Sequence, residues 1–179
     1  MDKNKNINLT TRRPRMYKAI GLTIILFALG FISEKVYGFD ENGEAFCLAK
    51  NIYFEAGNQP LAGKVAVAQV VKNRVDSPDF PNTYCDVIYQ VKEYRQTWKG
   101  TWVPKLGMCQ FSWYCDGKTD EPKDSKTWIE SYQIANNFMM SQSWDLTEGA
   151  LWYHADYVYP YWAEHLNETV TINNHIFYK

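Results

Sequence analysis

Fifteen consecutive uncharged residues, Ala19 to Ser33, follow a stretch that holds Lys3, Lys5, Arg12, Arg13, Arg15 and Lys18. An apolar run behind a basic cluster is a membrane-directing segment, and it decides which part of the chain is left to form a globular domain. The positive-inside rule keeps the basic head in the cytoplasm and sends residues from about 39 onward to the other side. The run is shorter than the roughly 17–25 residues of a spanning helix and long for the apolar core of a cleaved signal. An uncleaved anchor through residues 19–33 is the favoured expectation. Cleavage after Gly38 is the alternative, although Glu34 and Lys35 interrupt the approach to such a site. A buried core helix fits poorly, because the run has no stripe of polar positions. The chain thus divides into a head, 1–38, and a folded body, 39–179. The body is expected in the periplasm or cell wall, held at the inner or cytoplasmic membrane or secreted after cleavage. An anchored form that acts on release is one use of such a head.

The chain's 179 residues, 46% of them hydrophobic, suffice for one packed domain with a short appendage. The head carries seven basic and two acidic residues, and the body twelve basic and eighteen acidic. An acidic body excludes a nucleic-acid partner for the domain. Cys47, Cys85, Cys109 and Cys115 all follow the apolar run. An even number of cysteines in an oxidising compartment reads as two disulfides. Three pairings are open; the short separation of Cys109 and Cys115 favours that pair, leaving Cys47 with Cys85. The sequence implies no metal and no cofactor. It has no C-x-x-C, and His154, His165 and His175 show no ligand spacing.

Apolar positions Ala45, Leu48, Ala49, Ile52 and Ala56 predict a helix over 44–56, ended at Gly57. Pro60 opens a second, largely buried helix to about Val75. Residues 77–82, with Pro78 and Pro81, form a loop, and a short helix follows from Thr83 to Val91. Loops with short extended pieces fill 92–118. A third long helix covers 125–142, with Trp128, Tyr132, Ala135 and Met139 at helical spacing. Thr169–Ile172 and His175–Tyr178 flank Asn173-Asn174, a hairpin signal because asparagine tolerates positive φ. The fold class is α+β, mainly helical, with a small antiparallel sheet.

Glu55 breaks the local pattern. It lies on the stripe of Leu48 and Ile52, in the last turn before Gly57, where the helix dipole disfavours an anion. Burial and dipole both favour its protonated form. A carboxyl group kept protonated near neutral pH is what general-acid cleavage of a glycosidic bond requires. The plain alternative is a Glu turned outward to Lys50, Lys64 or Arg74.

Several ordered blocks surround this residue: Leu48–Gly57, Gly63–Ala68, Asn73-Arg74-Val75, Phe80–Thr83 with Cys85 and Val87–Gln90, Cys109–Trp113, Trp152-Tyr153-His154 with Val158, Pro160 and Trp162, and Ile172–Tyr178. Together they resemble the bacterial cell-wall hydrolases of the spore cortex-lytic type, which also occur among phage lysins. The resemblance implies a lysozyme-like fold acting on peptidoglycan glycan strands, with Glu55 as the catalytic acid. It implies a lytic transglycosylase, for which one carboxyl group suffices. A hydrolytic muramidase would need a second carboxylate, for which Asp86 and Asp116 are the nearest candidates by motif. An amidase or a non-catalytic wall-binding protein are the further readings. Gln110, Ser112 and Tyr153 are expected to hydrogen-bond the sugar, and Phe111 and Trp113 to stack on its ring. His154 and His175 are expected at structural or rim positions. The chain departs from the family at Gly57-Asn58-Gln59, where Arg-Gly-Glu is usual.

Overall fold

The computed structural model describes residues 40–141 and 144–179. The head and its apolar run, with the expected membrane contact, lie outside the described residues. Among the described residues no helix is long and apolar enough to cross a membrane.

Helix α1 spans Glu44–Ala56, with Glu44 in its first turn near the positive end of the helix dipole. Its stripe, including Leu48, Ile52 and Ala56, is fully buried. Helix α2, Leu61–Asp76, starts behind Pro60 and is covered on nearly every side. It packs on α1, on the short helix α3 (Tyr84–Ile88), on α4 (Ser125–Met140) and on strand β4 (Glu168–Ile172). A helix in that position must give its polar residues partners inside the protein. Lys64 Nζ meets Glu130 Oε2 of α4 at 2.9 Å. Asn73 Nδ2 donates to Asp145 Oδ2 (3.0 Å), Thr147 Oγ1 (3.2 Å) and the Ala150 carbonyl (3.0 Å).

Helix α3 is too short to be stable alone, and three devices hold it. Thr83 Oγ1 accepts from Asp86 N (3.1 Å) and donates to Asp86 Oδ2 (2.7 Å). Glu44 Oε2 accepts from Tyr84 N and Cys85 N, and the Cys47–Cys85 disulfide ties α3 to α1. The second disulfide is Cys109–Cys115, so both expected pairings are present. The helix ends at Ile88, short of the expected Val91, because the chain then turns extended. Val91 bridges Cys109, and Gln110 N donates to the Gln90 carbonyl at 2.9 Å. In α4, Ala135 and Phe138 are buried, whereas Met139, expected on the inner stripe, is exposed.

The main sheet has the order β3-β5-β4, all antiparallel, with β3 at Trp152–Ala155 and β5 at His175–Tyr178. The β4–β5 hairpin forms as expected, with Asn173 at φ 52° in its turn. Strand β3 is not evident from the sequence, and it makes β5 the central strand. That explains why His175, Phe177 and Tyr178 are all buried, against simple alternation. Phe177 packs with Ala66, Val70 and Ala150, joining the sheet to α2. A separate two-stranded hairpin, β1 (Tyr94–Gln96) and β2 (Trp102–Pro104), pairs Arg95 with Val103.

Among the described residues Phe177 is the largest fully buried side chain. The Phe177→Ala variant is expected to lose about 3–5 kcal/mol of unfolding free energy in urea titrations.

Candidate active site

Glu55 stands at the mouth-side end of α1, where α1, the 3₁₀ turn Ser112–Cys115 and strands β3 and β5 enclose a cleft of about 500 Å³. Phe54 and Glu55 come from α1, Ser112 and Trp113 from the 3₁₀ turn, Tyr153 from β3 and His175 from β5. Trp113 stacks on Phe54 with ring centroids 4.7 Å apart, and its Nε1 donates to the buried Asn51 Oδ1 at 3.0 Å. That wall is therefore rigid and anchored in the core. The end of α1 lies close against α4. A Cβ at Gly57 would press on the Tyr53 carbonyl and stand 3.1 Å from Thr127 Cγ2, so the family's usual arginine has no room on this backbone.

The hydrogen-bond partner of Glu55 among the described residues is Tyr153, whose hydroxyl donates to Oε2 at 3.1 Å. Burial raises the Glu55 pKa, and the Tyr153 hydrogen bond and the positive charge of Arg74 partly offset the rise. Burial likewise raises Tyr153 well above the ordinary tyrosine range, so it stays a donor. Glu55 does not turn outward to a lysine. It keeps only partial access to solvent, through the cleft.

Arg74 is the buried cation behind this pair. Its Nε donates to the Leu151 carbonyl at 2.8 Å, and its guanidinium lies 5.4 Å from the Phe80 ring and 5.2 Å from the Phe111 ring. With the Gln110 carboxamide oxygen turned toward it, both terminal nitrogens donate to that oxygen at 3.1 Å. Burial lowers its pKa to about 10, which leaves it charged at neutral pH.

Of the five residues expected to touch sugar, Ser112, Trp113 and Tyr153 line the cleft with Glu55. Gln110 and Phe111 do not. Phe111 is 3% exposed beneath Arg74, and Gln110 faces Arg74 and a different hollow beside Trp152 and Trp162. The two candidates for a second carboxylate also separate. Asp86 is occupied in the α3 cap, away from the cleft, whereas Asp116 lines it. Asp116 accepts from Lys118 N at 2.8 Å and pairs with Lys118 Nζ at 3.2 Å. The backbone hydrogen bond, then the Lys118 side chain, lower its pKa, so it is ionised at neutral pH. His154 is a packing residue that bonds the Tyr178 hydroxyl at 3.0 Å. His175 lines the cleft, edge-on to Tyr153 at 5.2 Å. Sequence reasoning missed Arg74 as a site residue. The signal was available, since a charge inside an otherwise apolar helix demands an internal partner. Among the described residues no three His, Cys, Asp or Glu side chains converge as metal ligands.

A carboxyl of raised pKa and an ionised carboxylate line one aromatic-walled cleft, an arrangement chemically suited to acid–base work on a polar substrate. The model of the cell wall hydrolase family matches residues 58–178, and the chain belongs to that family. Glu55 lies three residues before the matched segment. The chain is 37% identical over 59 residues to the spore cortex-lytic enzyme of Bacillus subtilis, covering 33% of this chain and 19% of that protein. It is 26% identical over 145 residues to the spore cortex-lytic enzyme of Oceanobacillus iheyensis, covering 79% and 43%. The matched segments thus span from about a fifth to under half of these curated relatives. The fold is similar to the catalytic domain of the Bacillus cereus SleB protein, with TM-score 0.53 and 27% identity over 79% of this chain and 93% of that one. It is similar also to the catalytic domain of SleB from Bacillus anthracis, described as a germination-specific lytic transglycosylase. There the TM-score is 0.55 and the identity 29%, over 79% and 98%.

Two titrations follow from this geometry. Removing the Tyr153 hydroxyl takes away a bond that favours the carboxylate, so Tyr153→Phe is expected to move the Glu55 carboxyl NMR titration to higher pH. The native state also holds the Glu55 proton above the ordinary value of 4.5, so its stability falls as pH rises from there through the raised value. Glu55→Gln removes that loss and is expected to melt higher than the parent at pH 7, with the gap closing toward pH 4.

Proposed function

We propose that the chain is a peptidoglycan lytic transglycosylase that cleaves the glycan strand between N-acetylmuramic acid and N-acetylglucosamine. The observation that carries this reading is the half-buried carboxyl of Glu55, raised in pKa and held by Tyr153 in an open cleft. Protonated Glu55 gives its proton to the glycosidic oxygen as the bond to C1 breaks. The resulting carboxylate then takes the proton of the 6-hydroxyl of muramic acid as that oxygen closes on C1. The products are a 1,6-anhydro end and a free hydroxyl on the departing sugar, and no water is consumed. Burial favours the first half of this cycle by holding the proton. Tyr153 and Arg74 favour the second by stabilising the carboxylate. Ser112 and Trp113 are the wall groups that meet the sugar. The activity named for the Bacillus anthracis neighbour supports the reading.

One observation favours a second reading, a hydrolytic muramidase. Asp116 is an ionised carboxylate in the same cleft and would serve as the base for water. The reading extends to the whole chain: residues 39–179 form the catalytic domain outside the cytoplasm, and residues 19–33 carry it to the membrane, as an anchor before release or as a cleaved signal. The basic head before the uncharged run supports this extension.

Mass spectrometry of fragments released from purified peptidoglycan by the full chain tests the chemistry. Anhydromuramic ends are expected, with the rate reduced by about 10²-fold or more in Glu55→Gln, which keeps the shape and removes the proton. A fully active Gln variant overturns the assignment. Reducing muramic ends that disappear in Asp116→Asn would establish the hydrolase instead.

A further inference from the structure

The Glu55 cleft does not stop at its own walls. Asp116 and Lys118, which line it, also line a second hollow of about 470 Å³ that runs along the β1–β2 hairpin. Arg95 and Thr97 of the β1 side, Val103 and Pro104 of β2, and Leu106 beyond it form the rest of that groove's edge. The hairpin differs in charge from the body that carries it. Residues 92–105 hold four basic residues and one acidic, within a body of twelve basic and eighteen acidic. Local partners occupy part of this charge. Lys105 pairs with Glu93 at 2.8 Å and Lys118 with Asp116 at 3.2 Å. Arg95 is exposed and has no ion pair among the described residues. Leu106 is 69% exposed, an apolar side chain left on the surface of the same groove.

We infer that this groove binds the anionic peptide branch of peptidoglycan, with Arg95 taking a branch carboxylate. The inference rests on the glycan-cleaving reading above. The branch leaves the strand from the lactyl group of muramic acid, beside the bond that Glu55 would cut, so it must exit the cleft sideways. A groove that shares a wall with the cleft is where it would run. The chemistry matches at both ends of the side-chain scale. An arginine fork donates two parallel hydrogen bonds to a carboxylate, and Val103, Pro104 and Leu106 offer apolar contact to alanine methyl groups. Outside residues 92–105 the body holds eight basic and seventeen acidic residues, so the hairpin is the stretch whose charge best suits such a branch. Arg95 is therefore a specificity residue: it does not touch the reacting atoms, and it selects strands that still carry peptides.

Equilibrium sedimentation of the full chain tests this, with Glu55→Gln so that the glycan is bound and not cut. The two ligands are peptide-bearing peptidoglycan and the same glycan stripped of peptides by an amidase. The peptide-bearing glycan is expected to bind about fivefold tighter or more. Arg95→Glu in the same background is expected to bring the two affinities within about twofold of each other, and Arg95→Lys to keep part of the preference. Equal affinities with Arg95 intact, or a preference that survives Arg95→Glu, overturn the inference. A preference lost in Arg95→Glu, when the parent chain with Glu55 intact cleaves neither glycan, supports the groove and counts against the glycosidic chemistry alone.

Discussion

A guanidinium inside a protein must be surrounded by partners or it destabilises the fold, and Arg74 meets that demand by recruiting four parts of the chain. Its Nε takes the Leu151 carbonyl just before β3. The rings of Phe80 and Phe111 cover it, and the Gln110 carboxamide faces its terminal nitrogens. The same charge acts on Glu55 and Tyr153. One side chain of α2 thereby fixes the entry to β3, the segment leading into Ser112–Trp113, and the electrostatics of the acid. Removing it would leave the Leu151 carbonyl and Gln110 without their partner and would deepen the preference of Glu55 for its proton.

Rigidity around the cleft comes from different sources on its two sides. On the α1 side, Trp113 is locked by Phe54 and Asn51, and the Cys109–Cys115 disulfide closes the turn that carries it. On the sheet side, Tyr153 and His175 belong to neighbouring strands and pack edge to face. The position of the acid therefore depends on helix packing, and the position of its hydrogen-bond donor on strand pairing. A site assembled from both is precise only when the whole domain is folded.

The helices were legible because their signals are local. Gly57, Pro60 and the stripe of Leu48 and Ile52 lie within one or two turns of the features they mark. The β4–β5 hairpin was legible for the same reason, through Asn173-Asn174. Strand β3 was not, since its four residues show no alternation and its partners on β5 lie 20 to 26 residues away. That Phe111 and Gln110 stand at Arg74 and not in the Glu55 cleft has the same origin. Residue types suited to sugar contact equally suit a buried guanidinium, and only the position of Arg74 decides between them. Glu55 was readable because a carboxyl on an apolar stripe is anomalous whatever surrounds it.

Strand β5 lies between β3 and β4 in space but follows both in the chain. During synthesis neither neighbour has anything to pair with until residues 175–178 emerge from the ribosome. Tyr153 sits on β3, so its bond to Glu55 awaits that emergence as well. Glu55 on α1 is synthesised 98 residues before that donor. The order of translation thus separates the making of this carboxyl from its tuning, which is complete only after the central strand is made.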